Sequence, residues 1–486
     1  MNTAEPYTKE RLLRRDAVAF LYELHDRFES RRQELLLERQ GRQREFDLGY
    51  LPDFLPVTNQ GQKLPWTTMP LPSDLAHWQV TLSGPPDREA LSLGFDSGAN
   101  VLIAEFDDQL SPTWANCLEG HSCLHEVSNG QAGKPAVFVR PRNWSLEEKH
   151  FLVQERPISA SLFDFGLSIF QGSCARFSLP KLETQQEGRL WSDIFQFTEE
   201  RLAIPRGMIR VILSIETISA AFEMEELLYE LRDYTVALEC SPTNYLSSFA
   251  RTFRANGESL LPQRGDITMN QPFLHALQEL LVHTCHKHEI YAISSWLPQL
   301  RARGDVCLNM RHEVARGFDG ICVSDAGLVS VAHAACEQAA KEGASMAPPQ
   351  RHCYITSGAL ISRVHGKITM LALKENVELA LEHLEAWLSG DSPQRPHRMG
   401  SMATVELCRA QLWQWIRHSA RLTCGRRVTR YLIECFVRDL LVTIERRIGE
   451  VEFAASKFRL AGELLLSSCT DGFGSPLVFR AYDRLA

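Results

Sequence analysis

MIRVILSIETISAAFEMEELLYELRDYTVALECSPTNYLSSF, residues 208–249, is the stretch that decides the fold. It opens with a β-branched apolar run that carries one acid, Glu216, near its end. An amphipathic segment follows (AAFEMEELLYELRDY), then a second apolar run (VALEC) and the turn Ser241-Pro242-Thr243-Asn244. This reads as strand–helix–strand with polar residues at both strand ends, the edge where parallel α/β barrels carry their chemistry.

Working outward, the same punctuation recurs. Ala99–Phe106 ends at Asp107-Asp108, and Ala136–Val139 ends at Arg140. Tyr291–Ile293 ends at Ser294-Ser295, and Gly320–Val323 ends at Ser324-Asp325. With the two runs of the opening stretch, six apolar segments each finish in polar residues, which predicts a parallel sheet with a functional carboxyl edge. The span suits an α/β fold built as a (β/α)8 TIM barrel with insertions over residues 78–389. A doubly wound open sheet is the runner-up. No Gly-x-Gly-x-x-Gly follows any of the runs, which counts against it.

The flanks read as helical. Phe20, Leu24 and Phe28 recur at i+4 within residues 10–45, and the five prolines between Leu51 and Pro72 predict an extended arm. Together they form an N-terminal helical clasp and arm over residues 1–77. After the polar loop DSPQRPHRM (391–399), Val428, Leu432, Phe436, Leu440 and Ile444 mark one apolar helical face. That places a C-terminal helical domain at 390–486.

The 486 residues, 44% hydrophobic and 23% charged, suffice for one large core with appended domains. A net charge of −8 supplies no global basic field for nucleic acid or anionic membrane. No apolar run approaches the roughly 18 residues of a membrane span. The N-terminus lacks a signal-peptide pattern, and the C-terminal Arg-Leu-Ala is not the usual peroxisomal address. Thirteen cysteines without a Cys-x-x-Cys pair read as reduced thiols in a cytoplasmic protein.

Several residues carry candidate chemistry, each with a plainer alternative. Arg140 ends a buried strand, where a guanidinium can stabilise an oxyanion; the plainer role is a surface ion pair. Glu216 can hold Mg²⁺, which takes few protein carboxylates; it can equally cap a helix. Asp107 and Asp108 read better as supporting or capping acids than as ligands. His283, Cys285, His286 and His288 resemble a metal cluster, but on a helix they wrap most of the circumference. Gly400-Ser401 before the C-terminal helices reads as an N-cap, an anion site or a nucleophile position.

At these residues the chain resembles malate synthase, in its shorter A-type form, over almost its whole length. The matching blocks include LSPTWANCLEG (110–120), VRPRNWSLEEKH (139–150), SLFDFG (161–166), FSLPKLE (177–183), LAIPRGMIRVILSIETISAAFEMEELLYELRD (202–233), PFLHALQELLVHTCHKHEIYAI (272–293), QLWQWIRH (411–418) and AYDRL (481–485). The resemblance implies the barrel, the clasp and a C-terminal helical plug. It also implies a Claisen condensation of acetyl-CoA with glyoxylate and water to give malate and CoA. In that chemistry Mg²⁺ polarises the aldehyde, an Asp removes a methyl proton and an Arg stabilises the enolate.

Carried over residue by residue, Arg140 matches the enolate-binding Arg and Glu216 the first metal carboxylate. Arg142 is kept, while the family's Gly beside it is Asn143. The second metal carboxylate, in a Gly-Arg-Trp-Asp turn, falls on Asn244, preceded by Pro242 and Thr243. Asn244 keeps an oxygen but no charge, so metal binding through Glu216 and Asn244 is expected to be weakened. Glu216, Thr243, Asn244 and Arg140 fall at the family's substrate positions. The family's Ala-Ile-Gly-Gly reads Ala292-Ile293-Ser294-Ser295, followed by Trp296. The catalytic Asp of Met-Glu-Asp-Ala-Ala-Thr falls on Ser401, whose hydroxyl cannot take a methyl proton at neutral pH without its own base. The implied ligands are acetyl-CoA or another acyl-CoA and glyoxylate or another 2-oxo acid, with no nucleic acid and no membrane. The expectation is a diverged acyl-CoA protein with weak or altered chemistry. Alternatives are an active synthase whose base has moved to Asp325 or Glu406, and a non-catalytic binding protein.

Overall fold

The computed structural model describes residues 12–56, 66–128, 135–295, 306–342, 354–390, 401–471 and 473–485. Trp296 and the 391–399 loop lie outside them. Eight parallel strands close into a barrel: β1 (Val80–Gly84), β2 (Val101–Glu105), β3 (Ala136–Arg140), β6 (Arg176–Leu179), β7 (Arg210–Ile215), β8 (Thr235–Cys240), β9 (Tyr291–Ser295) and β10 (Gly320–Val323). An antiparallel hairpin, β4 (Glu147–Val153) and β5 (Arg156–Ser159), is inserted between β3 and β6 outside the barrel. The barrel order β1-β10-β9-β8-β7-β6-β3-β2 has no open edge, so the doubly wound alternative is excluded.

All six expected runs are barrel strands. The other two, Val80–Gly84 and Arg176–Leu179, are the least apolar, because Thr81, Ser83 and Ser178 are polar yet buried. Two local expectations are corrected. Residues 220–234 form two short helices, Ile218–Phe222 and Met224–Glu230, meeting at Glu223. The expected turn at 241–244 is the first turn of a helix, Pro242–Thr252. Pro242 stands at its first position, where a missing N–H costs no helical hydrogen bond.

The clasp is a 33-residue helix, Arg15–Asp47, whose stripe Phe20, Leu21, Leu24 and Phe28 is buried. It lies so close to the helix Ala160–Phe170 that a Cβ on Gly166 would stand 2.6 Å from Leu21 Cδ2. Arg39 clamps Glu187 with two 2.6 Å bonds farther along. Below the barrel, Trp66 of the arm stacks on His288 at 3.7 Å, and Trp78 packs with Phe138, Ile212, Tyr291 and Ile293 to close the floor.

The C-terminal helices, among them Met370–Leu388, Met402–Arg417, Arg430–Ile448 and Phe458–Thr470, form their own apolar core. They are tied to the loop after β2. Trp387 Nε1 donates to Leu110 O at 3.1 Å, Ser111 Oγ donates to Trp387 O at 2.6 Å, and Met402 N donates to Asp108 O at 3.0 Å. The C-terminal domain is therefore fixed beside the carboxyl end of the barrel.

Candidate active site

Five of the eight strands deliver charged side chains to this edge. β2 ends in Glu105, followed by Asp107 and Asp108; β3 ends in Arg140. Two residues past β6 stands Lys181, one past β7 stands Glu216, and β8 carries Glu239 on its inner face. The floor beneath is apolar, so these groups share a largely water-excluded chamber.

Arg140 is at its centre. Its Nη2 donates to both oxygens of Glu216, at 2.7 and 2.9 Å, and its Nη1 donates to Ser214 Oγ at 2.8 Å. Its Nε–H is buried without a hydrogen-bond acceptor among the described residues, with Glu105 Oε1 at 3.5 Å. Arg140 is 5% exposed and held above its already high ordinary range: burial opposes its charge, but Glu216, Glu105, Asp107 and Asp108 outweigh that.

Lys181 is the second cation. Its Nζ donates to Asp107 Oδ2 at 2.6 Å and to both Asp108 oxygens at 2.8 and 2.9 Å. Its backbone N donates to Glu216 Oε2 at 2.9 Å, from a left-handed backbone with φ +53°. A non-glycine residue held there marks local strain near a functional edge.

Asn244 bridges two acids. Its Nδ2 donates to Glu216 Oε1 at 2.7 Å and to Asp108 Oδ2 at 3.1 Å. Thr243 beside it is buried, with its carbonyl accepting from Ser247 Oγ. Asn143 contributes through its backbone, which donates to Asp107 Oδ1 at 2.9 Å. Arg142 faces away, into a buried network with Asp164 and Glu148.

The electrostatics follow from five carboxylates around two cations. Burial pushes Glu105 up to about 7, against the pull of Arg140, and Asp107 up to about 6, against Lys181. Asp108 is also pushed up by burial, but Lys181 and Arg140 more than offset this and hold it below its usual range. The chamber thus holds permanently ionised groups next to carboxyls poised near neutrality, an arrangement suited to proton transfer.

The donor set fits a hard dication under one condition. Glu216 and Asp108 converge on a single point, now taken by the Asn244 amide nitrogen. Rotating that amide presents Oδ1 to the same point, giving two carboxylates and a neutral oxygen, a set compatible with Mg²⁺. The excess of acids favours such an ion, while the donors already on Glu216 oppose it.

The remaining expected residues separate clearly. Ser401 caps the helix Met402–Arg417 without a side-chain bond, and the next residue's N–H lies on Asp108 O, so it stands at the rim. Glu406 is committed elsewhere: Arg409 holds both its oxygens at 3.0 and 2.6 Å, and Leu477 N donates to it. Asp325 caps a short turn through Gly327 N, after β10. Ser294 and Ser295 point opposite ways, Ser294 Oγ to Glu313 at 2.9 Å and Ser295 Oγ to Glu239 at 2.5 Å. The His-rich segment is an ordinary helix end, with His286 against Asp319 and His288 against Glu225. Among the described residues no three His, Cys, Asp or Glu side chains converge as a metal site.

Sequence reasoning missed Glu105, Lys181 and Glu239. Lys181 lies inside FSLPKLE, and Glu239 breaks the apolar run VALEC; both were legible as polar residues at strand ends.

Comparison with known proteins gives a consistent picture. Residues 2–60, 136–362 and 367–485 match models described as the malate synthase N-terminal domain, TIM barrel domain and C-terminal region. The chain is 34% identical to the malate synthase of Myxococcus xanthus, covering 97% of this chain and 93% of that one. It is 35% identical to that of Streptomyces clavuligerus, covering 98% and 96%, and 31% identical to malate synthase A of Escherichia coli, covering 95% and 93%. A Haloferax volcanii malate synthase pyruvate/acetyl-CoA ternary complex overlays with a TM-score of 0.47 at 14% identity, covering 77% of this chain and 96% of that chain; this adds nothing to the sequence matches.

Proposed function

This chain belongs to the malate synthase family, and from that premise we propose that its barrel mouth binds an acyl-CoA thioester and a 2-oxo acid and forms an enolate at Arg140. The observation that carries the reading is the orphaned Arg140 Nε–H. A permanently charged donor, buried and without an acceptor among the described residues, is ready for a developing enolate oxygen and needs no reorganisation to meet it.

The surrounding residues support that role. Glu216 and Ser214 fix the guanidinium plane from two sides. Lys181 holds Asp107 and Asp108 together, its Nζ donating to both carboxylates. Glu216 and Asn244 would hold Mg²⁺, which when bound supplies polarisation of the oxo-acid carbonyl. With Asn244 neutral, that ion is held weakly. Ser401 stands at the family's base position without a carboxylate or imidazole bonded to it among the described residues. Ser295, which falls on a glycine of the family pattern, carries a hydroxyl that donates to Glu239 on the inner wall. Condensation with glyoxylate is accordingly slow, and the thioester half of the chemistry is retained.

Calorimetric titration of the full chain with acetyl-CoA, followed by glyoxylate on the loaded protein, tests this. Saturable acetyl-CoA binding with weak glyoxylate binding is expected. Absence of acetyl-CoA binding would contradict the reading and favour a fold kept for another partner.

A further inference from the structure

Of the five carboxylates at the barrel mouth, one is unlike the rest. Glu216 is saturated by Arg140, Lys181 N and Asn244. Asp107 and Asp108 are held by Lys181. Glu105 accepts from Ser83 Oγ, Gln109 Nε2 and Asp108 N, and lies within ion-pair distance of Arg140. Glu239 has no cation within 4 Å among the described residues, although it is only 6% exposed. Its donors are neutral: Ser214 Oγ at 3.0 Å on Oε2 and Ser295 Oγ at 2.5 Å on Oε1. The Cys322 thiol lies against it too, pushed far above the usual thiol range by burial and by the charges of Glu239 and Glu105. A carboxylate offers about four acceptor positions, so these three donors leave one open.

A buried carboxylate without a cation is costly unless it has a use. We propose that Glu239 is the general base of this chain, removing the proton α to the thioester carbonyl in place of the carboxylate absent at Ser401. This rests on the reading of the mouth as an acyl-CoA site.

The geometry suits the step. Ser214 Oγ joins Arg140 Nη1 to Glu239 Oε2 through contacts of 2.8 and 3.0 Å, which puts the open Nε–H, about 2.3 Å from Nη1 across the guanidinium, within about 8 Å of that carboxylate oxygen. A thioester oxygen and its methyl carbon are about 2.4 Å apart from standard bond lengths. With the oxygen hydrogen-bonded to Arg140 and the methyl about 3.2 Å from a carboxylate oxygen, the bent path bridges that gap. In the step, the methyl C–H bond breaks and the proton passes to Glu239, which becomes the neutral acid. The electron pair forms the C=C bond of the enolate, and the charge moves to the oxygen facing Arg140. The oxygens of Glu216 and Asp108 are taken by Arg140, Lys181 and Asn244, whereas Glu239 keeps an open acceptor position, which is why Glu239 suits the role.

The test needs no second substrate. The full chain is incubated with acetyl-CoA in D₂O, and loss of the methyl proton signal is followed by NMR. Calorimetry on the same samples reads acetyl-CoA binding. Native protein is expected to exchange the methyl protons. Glu239→Gln is expected to slow exchange at least about a hundredfold while changing acetyl-CoA affinity less than about threefold. Asp325→Asn is expected to exchange like native. Should Glu239→Gln lose its melting transition, Glu239→Asp takes its place, with the same slowing expected because its carboxylate is one methylene short. Native protein that binds acetyl-CoA without exchanging it overturns the inference and leaves the acyl-CoA reading intact. So does exchange that survives at Glu239 or is lost in Glu105→Gln instead. Native protein that does not bind acetyl-CoA overturns the acyl-CoA reading itself, and the inference with it.

Discussion

Glu105→Gln separates burial from ion pairing at the barrel mouth. Glu105 is pushed from the ordinary 4.5 to about 7, first by burial, with Asp108 and Asp107 adding to it and Arg140 opposing. The sign follows directly. The folded protein holds this proton more tightly than the unfolded chain, so its stabilising contribution is complete below about pH 4.5 and is lost as pH rises through about 7. Each tenfold difference in proton affinity is worth about 1.4 kcal/mol, so the gap corresponds to about 3 kcal/mol. Glutamine keeps the shape and removes the titration. Relative to native, the variant is expected to gain about 2–3 kcal/mol between pH 5 and pH 8, seen as a Tm difference that widens by a few degrees. Circular-dichroism melts at intervals across that window measure it. A difference that stays constant with pH would mean Glu105 is ionised throughout, paired with Arg140. One that narrows as pH rises would mean that pair outweighs the cost of burial. Either result refutes the reasoning.

Other substitutions probe neighbouring parts of the account. Asn244→Asp adds a formal charge where Glu216 and Asp108 converge, and should tighten Mn²⁺ binding at least about tenfold by electron paramagnetic resonance; unchanged binding would place the ion elsewhere. Lys181→Met leaves Asp107 and Asp108 facing each other without their cation and should destabilise the fold by about 3–5 kcal/mol near neutral pH, less at pH 4; a denaturant melt with no loss would show the acids relax into water. Gly166→Ala drives a methyl group into Leu21 at the clasp, and a loss of about 1–3 kcal/mol in the same assay is expected.

Much of the architecture was legible because a parallel barrel writes itself as apolar runs ending in polar residues. Met208–Ile215 and Val236–Cys240 overlap strands buried at every position. Val80–Gly84 and Arg176–Leu179 escaped because Thr81, Ser83 and Ser178 break their apolar runs. The chamber layer over the floor is polar, so periodicity cannot find it. Pro242 reads as a turn residue and also as the first residue of a helix; only the packing of Tyr245, Leu246 and Phe249 decides between them. Arg140, Glu216 and Asn244 were found by their places at strand ends, and they meet at bonding distance. Glu239 is visible as the one acid in the run VALEC, but the run as a whole reads as apolar. Its significance appears only when Ser214 and Ser295, distant in sequence, are seen to hold it, and no cation joins them among the described residues.

CoA release from acetyl-CoA with glyoxylate and Mg²⁺, compared between the native chain and Asn244→Asp/Ser401→Asp, tests the central claim most directly. A retained acyl-CoA site with altered chemistry predicts slow release by the native chain and a gain of at least about tenfold in the double variant. Release by the native chain as fast as by the Escherichia coli relative, or two chains equally silent, would contradict it.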